Sequence, residues 1–404
     1  MSLAPPCDLF VLAGEASGDA YAAAIVERLR ARHPELVVAG MGGPAMKAAG
    51  VEIEQDSDGL AVMGFFPVLA RLPEFIRLGR RLATVVRARR PRAVLTVDYP
   101  GFNLRLLRRL ADVRAAGTRF IHVVAPQVWA WKPRRAKSIA RSVDRLLCFF
   151  PFEPPCFERF APGVPRFVGH PLVDLIPTGM DCAPVARELD LRPEDRLLLI
   201  APGSRLKEVT GLLPVFDRAV ELVRPRLSVP GGRLVAAIAK APEIAREVYR
   251  RHSHLPLIEG RYRELCARAH VGLIASGTAT LEAAIIGLPH VIAYRTDIIS
   301  ARLARYLLRV DHIGLPNIVL GGRVCPEVLQ DELTPERLAA HLLRLWDGPV
   351  RDERRARLAD MRAVLGGGGA MARIADAVRD EMVRGRRALD TIQVLDRERR
   401  KASP

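Results

Sequence analysis

The chain has 404 residues, 49% of them hydrophobic, and a formal net charge of +17 from 62 basic and 45 acidic side chains. A chain of this length exceeds the size at which a single core keeps growing, so two domains are expected. The composition excludes a disordered or fibrous protein, and no uninterrupted apolar run reaches the ~18–20 residues that a membrane-spanning helix requires.

The charge is unevenly spread. Between residues 71 and 109 a dense set of arginines is opposed only by Glu74 and Asp98. Such clustering points to an anionic partner: nucleic acid, a phospholipid surface or a phosphorylated substrate. The excess of arginine over lysine reads first as coding bias and second as bidentate phosphate binding. The six cysteines show no CxxC and no regular spacing. With no signal-peptide pattern at the start, they read as reduced cytosolic thiols, and the expected location is the cytoplasm, with membrane contact only at the surface.

In chain order, "DLFVLAG" reads as a strand and "AYAAAIVERLRARHP" as an amphipathic helix. Between them "GEASGD" packs Glu15, Ser17, Gly18 and Asp19 beside Gly14, a loop placed to meet a ligand. "ELVVAGMGG", "RAVLTVDYPG", "RFIHVVAP" and "DRLLCFFP" continue the alternation of strands with helical segments. That alternation argues for a parallel sheet covered on both faces. "FVGHPLVDLIP" closes this half as a hinge. The second half repeats the plan with "RLLLIAPGSR", "RLVAAIA", "LPLIEG", "VGLIASGTATLEAAIIG" and "PHVIAYR".

The expected fold is therefore α/β, with two Rossmann-like, doubly wound parallel-sheet domains facing a cleft. The expected divisions are 1–170, 171–350, and 351–404 as C-terminal helices and a basic tail, with the N-terminal domain as its candidate packing partner. Ligands of doubly wound sheets bind at the carboxyl ends of the strands.

Several loops carry chemistry. In "APGSRLKEV" the glycine lets backbone approach a ligand, and Arg205 offers a fork of donors for phosphate; an ordinary strand-to-helix turn is the alternative. Ser276, Gly277 and Thr278 stand where a strand meets a helix N-terminus, a place for a diphosphate as well as for a simple cap. Glu282 follows within reach of ribose hydroxyls. Asp98 in "VLTVDYPGFN" is a candidate general base at a strand end, or else a turn residue.

No G-x-S-x-G elbow, Walker loop or HExxH occurs, against serine hydrolases, P-loop enzymes and zincins. Asp56 and Asp58 in "DSD" read as a solvated turn, and the scattered histidines give no metal site, so no metal is expected. Residues 59–90 combine Met63, Phe65, Phe66, Val68, Leu69, Leu72, Phe75 and Ile76 with Arg71, Arg77, Arg80 and Arg81. They suit either an amphipathic helix pair or a lipid patch rimmed by arginines. Low aromatic content, at 5%, and the lack of an RNA-binding signature weigh against nucleic acid as a partner.

The ordered motifs "LAGEASGD", "MGG", "VMG", "VDYPGFN", "APQVWAWKPRR", "CFFPFE", "FVGHPL", "PGSR", "SGTATLEAAIIGLP", "GLPNI" and "PEVLQ" resemble lipid-A-disaccharide synthases over about residues 7–345. The resemblance implies a GT-B-like glycosyltransferase and an inverting, metal-independent transfer without a cofactor. The substrates implied are UDP-2,3-diacylglucosamine and 2,3-diacylglucosamine 1-phosphate, used at the cytoplasmic face of the inner membrane on anionic lipid; a homodimer is left open. Asp98 becomes the base, while Arg205 and the amides of Ser276–Thr278 hold the diphosphate. Glu282 takes the ribose, Asn317 touches the nucleotide or its phosphates, and Glu15, Ser17, Gly18 and Asp19 line the sugar cleft. The nearest alternatives are a muramyl-type transferase or a 2-epimerase of the same architecture. Two departures stand out: Pro67 follows "VMGFF" where the family often has an acid, and Gly101 replaces the second acid of the Asp98 motif.

Overall fold

The computed structural model describes residues 5–58, 71–130, 133–227, 229–295 and 311–401, with side chains as far as residue 385. Two compact units emerge, one comprising 1–171 with 369–404 and the other 172–368.

The first unit is built on seven parallel strands: β1 Leu9–Ala13, β2 Val38–Gly42, β3 Glu52–Asp56, β4 Ala93–Val97, β5 Arg119–Val123, β6 Arg145–Cys148 and β7 Pro165–Phe167. Their order is β3-β2-β1-β4-β5-β6-β7. Every residue of β1, β2 and β4 is buried, as expected of short, near-continuous apolar runs with both sheet faces covered. The chain starts between β2 and β4 and winds outward in both directions, so the sheet reverses its order between β1 and β4, in register from Leu9–Ala93 to Ala13–Val97.

The second unit repeats the plan with β8 Arg196–Ala201, β9 Leu234–Lys240, β10 Leu257–Glu259, β11 Val271–Ala275, β12 His290–Tyr294 and β13 Glu327–Leu329. The order is β10-β9-β8-β11-β12-β13, and the reversal falls between β8 and β11. Helix Leu206–Val223 packs Val209, Leu212, Leu213 and Phe216 into a core shared with Leu198, Ile200 and Leu273. These two doubly wound sheets match the fold class read from the sequence.

The C-terminal segment differs from the single piece expected after residue 350. Helices Pro349–Ala359 and Met361–Val364 belong to the second unit, and Leu358 and Met361 are buried there. Only the helix Ala370–Lys401 joins the first unit. It buries Ile374 and Val378. Glu381, 1% exposed, accepts from Arg119 at 2.9 Å and Arg145 at 2.9 Å. Arg384 on the same helix also reaches this buried carboxylate at 2.8 Å, and the guanidiniums of Arg119 and Arg145 tie the helix to the sheet by compensating its charge. Gly385 meets the Arg92 carbonyl so closely that no side chain fits there.

Candidate active site

At the order reversal of the first sheet, the loops after β1 and β4 lie side by side, the usual ligand position for this topology. A Cβ at Gly14 would lie 2.6 Å from the Tyr99 ring, so glycine is what allows the "GEASGD" loop to pack on the "VDYPG" loop. Asp98 and Tyr99 have φ of 48° and 49°, and Val124, after β5, has φ of 71°. Left-handed backbone costs about 1–3 kcal/mol per non-glycine residue and gathers at functional sites; in β-branched valine it is a genuine outlier. The Asp98 amide donates to the Val123 carbonyl at 2.9 Å. Asn103, fully buried, donates from Nδ2 to the Asp98 carbonyl at 2.8 Å and so clamps the turn.

Asp98 lines a pocket of about 250 Å³ with Val124, Gln127, Arg135, Phe149, Phe150 and Glu153. Burial raises its carboxyl above the ordinary aspartate value, partly offset by the Tyr99 amide. Glu153, 2% exposed, accepts from the amides of Phe149 and Phe150 at 3.0 Å each. Burial pushes it up to about 7 against those amides and the Trp129 indole, which lies near without reaching hydrogen-bond geometry.

Tyr99 turns the other way. It lines an apolar groove of about 270 Å³ with Leu72, Phe75, Ile76, Gly79 and Phe102. The rings of Tyr99, Phe75 and Phe102 stand 6.0–6.4 Å apart. Burial raises the Tyr99 phenol, and the Glu15 carboxylate adds to the rise.

The remaining residues of the first unit divide. Glu15 is half-buried at the N-cap of helix Ala16–Arg30, Ser17 is exposed, and a Cβ at buried Gly18 would lie 3.4 Å from the Val97 carbonyl. Asp19, expected on the sugar, is instead engaged inside the fold. Its carboxylate accepts from the amides of Gly43, Ala45 and Met46 at 2.7, 2.9 and 3.2 Å and is 4% exposed. It ties the "MGG" turn to the first helix. Of the expected lipid patch, Leu72, Phe75 and Ile76 line the groove, while Met63, Phe65, Phe66, Val68 and Leu69 lie outside the described residues. Asp56 accepts the Asp58 amide at 2.8 Å in a local turn. Among the described residues no three metal-ligating side chains converge.

In the second unit a cavity of about 770 Å³ opens at the order reversal. It is lined by Arg205 and Glu208 after β8, Lys240 at the end of β9, Ser276, Gly277 and Thr278 after β11, and Arg263 and Glu282. Gly277 has φ of 153° and ψ of −165°, a region open essentially to glycine alone. Helix Thr278–Ile286 follows at once; the Thr280 amide donates to the Gly277 carbonyl at 3.1 Å, while amides at the very start of a helix have no intrahelical acceptor. The Ser276 amide, expected on the diphosphate, donates instead to the Ala293 carbonyl at 2.8 Å as part of the sheet. Only Gly277 and Thr278 keep that role open.

Glu282 accepts from Arg263 at 2.6 Å. Arg205 is 60% exposed and reaches Glu208 at 3.2 Å. Glu208 also accepts the Ser204 and Arg205 amides at 3.0 and 3.3 Å, so a carboxylate already occupies the N-terminus of helix Leu206–Val223. Asn317, expected on the nucleotide or its phosphates, is also turned into the fold. Fully buried, it donates to the Cys325 carbonyl and to Glu327 at 2.7 Å and accepts the Cys325 amide at 2.7 Å. With every polar atom satisfied inside the fold, its carboxamide is a brace for the 313–327 loop and has nothing left for a nucleotide.

Sequence reasoning had not singled out Glu153, Lys240, Glu208 or Arg263. Glu208 had a readable signal, an acid three residues after a helix cap. The others are brought in by the sheet order.

A family model described as Lipid-A-disaccharide synthetase matches residues 9–365. The chain is 39% identical over 387 residues to the lipid-A-disaccharide synthase of Myxococcus xanthus, covering 94% of this chain and 99% of that one. The enzyme of the same name from Geobacter metallireducens is 39% identical over 389 residues, covering 94% and 98%. Among solved structures, a putative UDP-N-acetylglucosamine 2-epimerase from Listeria monocytogenes superposes with a TM-score of 0.62 at 15% identity, over 93% of this chain and 96% of that one. That likeness speaks for the fold; the sequence relatives speak for the lineage, and the chain belongs to the lipid-A-disaccharide synthase family.

Proposed function

We propose that Asp98 is the general base of this glycosyltransferase and that the adjoining groove holds acyl chains of its acceptor. The enzyme transfers 2,3-diacylglucosamine from UDP-2,3-diacylglucosamine to 2,3-diacylglucosamine 1-phosphate, forming a β-1,6-linked tetraacyl disaccharide 1-phosphate and releasing UDP. The observation that carries the assignment is the turn at 98–99. One residue offers a largely buried carboxyl to a pocket, and the next walls an apolar groove. A sugar hydroxyl beside fatty chains needs that combination.

In the reaction, Asp98 takes the proton of the acceptor hydroxyl as its oxygen bonds to the donor's anomeric carbon. The bond from that carbon to the diphosphate breaks, and its electrons leave with UDP. Desolvation keeps the carboxylate a better base than it is in water. The negative charge growing on the diphosphate is met by the amides of Gly277 and Thr278 at a helix N-terminus, joined by Arg205. Glu282 binds the ribose, oriented by Arg263. Glu15 and Ser17 are assigned to sugar hydroxyls, while Asp19 and Asn317 hold loops.

No helix among the described residues is long and apolar enough to cross a membrane. The acylated substrates place the enzyme at a bilayer surface, to which exposed Arg77, Arg80 and Arg81 on helix Leu72–Arg89 attract anionic head groups. Incubation with both lipid substrates, read by mass spectrometry, tests the reading. A preference for unacylated UDP-glucosamine over the diacylated donor overturns it, as does equal binding to neutral and anionic vesicles for the membrane part.

A further inference from the structure

The acceptor of this reaction carries a phosphate at the end of the sugar remote from the reacting hydroxyl, and a phosphate brought into a pocket needs a cation. The Asp98 pocket supplies one. Its lining is apolar apart from Asp98, Gln127, Glu153 and Arg135. Among the described residues Arg135 is its single basic side chain. Arg135 is exposed at the start of helix Arg135–Ser142, whereas Glu153 is buried and turned onto the amides of Phe149 and Phe150. No ion pair joins the two among the described residues, so the guanidinium is not consumed by that carboxylate.

The pocket's size fits this division. About 250 Å³ is the share of roughly eight liquid water molecules, the scale of one sugar ring. A ring whose hydroxyl meets Asp98 leaves its far side to the other polar groups of the lining, of which Arg135 alone is cationic. Arg105 and Arg109, which follow the turn on helix Pro100–Arg109, line the apolar groove instead, and Arg71 is paired with Glu74. The first two stand where acyl chains, and not the sugar's phosphate, would lie.

We propose that Arg135 binds the acceptor's phosphate and thereby makes the enzyme select a phosphorylated acceptor over its dephosphorylated counterpart. The guanidinium fork meets phosphate oxygens in pairs, which lysine cannot do. This inference rests on the reading of the Asp98 pocket as the acceptor site.

The test compares two acceptors, 2,3-diacylglucosamine 1-phosphate and 2,3-diacylglucosamine lacking the phosphate, in wild type and in R135A, R135K, R105A and D98N. In R135A, kcat/KM for the phosphorylated acceptor is expected to fall ten- to a hundredfold, the worth of a hydrogen bond to a charged group. The loss should appear in KM, the dephosphorylated acceptor should change less than twofold, and R135K should recover part of the preference. If R135A lowers both acceptors equally, or neither, the proposal is overturned. It is overturned as well if R105A is the variant that abolishes the preference. D98N separates the premises: loss of turnover with both acceptors keeps the pocket reading whatever Arg135 does, and full turnover removes it.

Discussion

Asp98 and Tyr99 are neighbours in one left-handed turn, and their side chains enter different cavities. Two successive residues with φ near 50° place both side chains as no ordinary strand end would. Asn103 and the Val123 carbonyl hold the turn in that form. The strain is thus tied to a division of labour between a carboxyl and a ring.

Asp98→Asn should lower turnover by about 10²–10⁴, the usual worth of a general base, with UDP affinity unchanged by calorimetry. In wild type the rate should climb with pH as Asp98 deprotonates, with a midpoint above the ordinary aspartate value of 3.8. That acid limb should vanish from any residual activity of the variant. Full activity in Asp98→Asn, which cannot take up the proton, would falsify the assignment.

Gly79 lines the apolar groove from helix Leu72–Arg89, and a Cβ there would meet Phe102 at an ordinary 3.8 Å. Gly79→Ala should therefore raise stability by about 0.5–1 kcal/mol, as alanine does in a helix interior. Gly79→Leu should fill the groove and raise KM for long-chain acceptors several-fold, while a short-chain acceptor is little affected. Equal losses for long and short chains would show that the groove is not where the chains lie.

The exposed Arg205 and the carboxylate beside it should act in opposite directions. Arg205→Ala is expected to weaken UDP binding about tenfold, ~1.4 kcal/mol. Glu208→Ala removes a like charge from the cavity and should tighten UDP binding, yet lose about 1 kcal/mol of stability with the helix cap. Calorimetry and thermal melts read both effects, and a change of the same sign in the two affinities would contradict the placement of the diphosphate.

Glu153 gives a pH dependence of stability. Burial lifts it from 4.5 to about 7, so the folded state holds the proton more tightly than the unfolded chain does. Its stabilising contribution is complete below pH 4.5 and is lost as pH rises through about 7. Glu153→Gln keeps an acceptor for the Phe149 and Phe150 amides but does not titrate. Its melting temperature should gain on wild type across that window and then run parallel above it. Parallel curves throughout would mean that Glu153 titrates like an exposed acid.

The sheets were legible because short apolar runs ending in glycine-bearing loops leave few alternatives to a parallel sheet. Asp98 was legible for the same reason, since a strand end fixes where the next residue stands. Asp19 and Asn317 were not. Their motifs place them in functional loops, but a carboxylate or carboxamide turned inward onto backbone amides looks the same in a sequence as one turned outward onto a sugar. The Ser276 amide differs by a single position, where β11 still pairs with β12. Arg135 and Glu153 meet Asp98 only through the order of β4, β5 and β6, which a linear string does not display.

The final helix belongs to the first unit, while residues 172–368 form the second without interruption. In order of synthesis, the unit that begins the chain is thus the last to be complete. Leu9 and its neighbours emerge early, but Glu381 and Gly385, which close on Arg119, Arg145 and Arg92, leave the ribosome only after the whole of the second unit. Co-translational folding, which commonly proceeds from the N-terminus, is here obliged to finish the middle of the protein first. A premature stop after Gly368 is expected to spare the nucleotide-type cavity and to strip the unit that carries Asp98 of its Glu381 anchor.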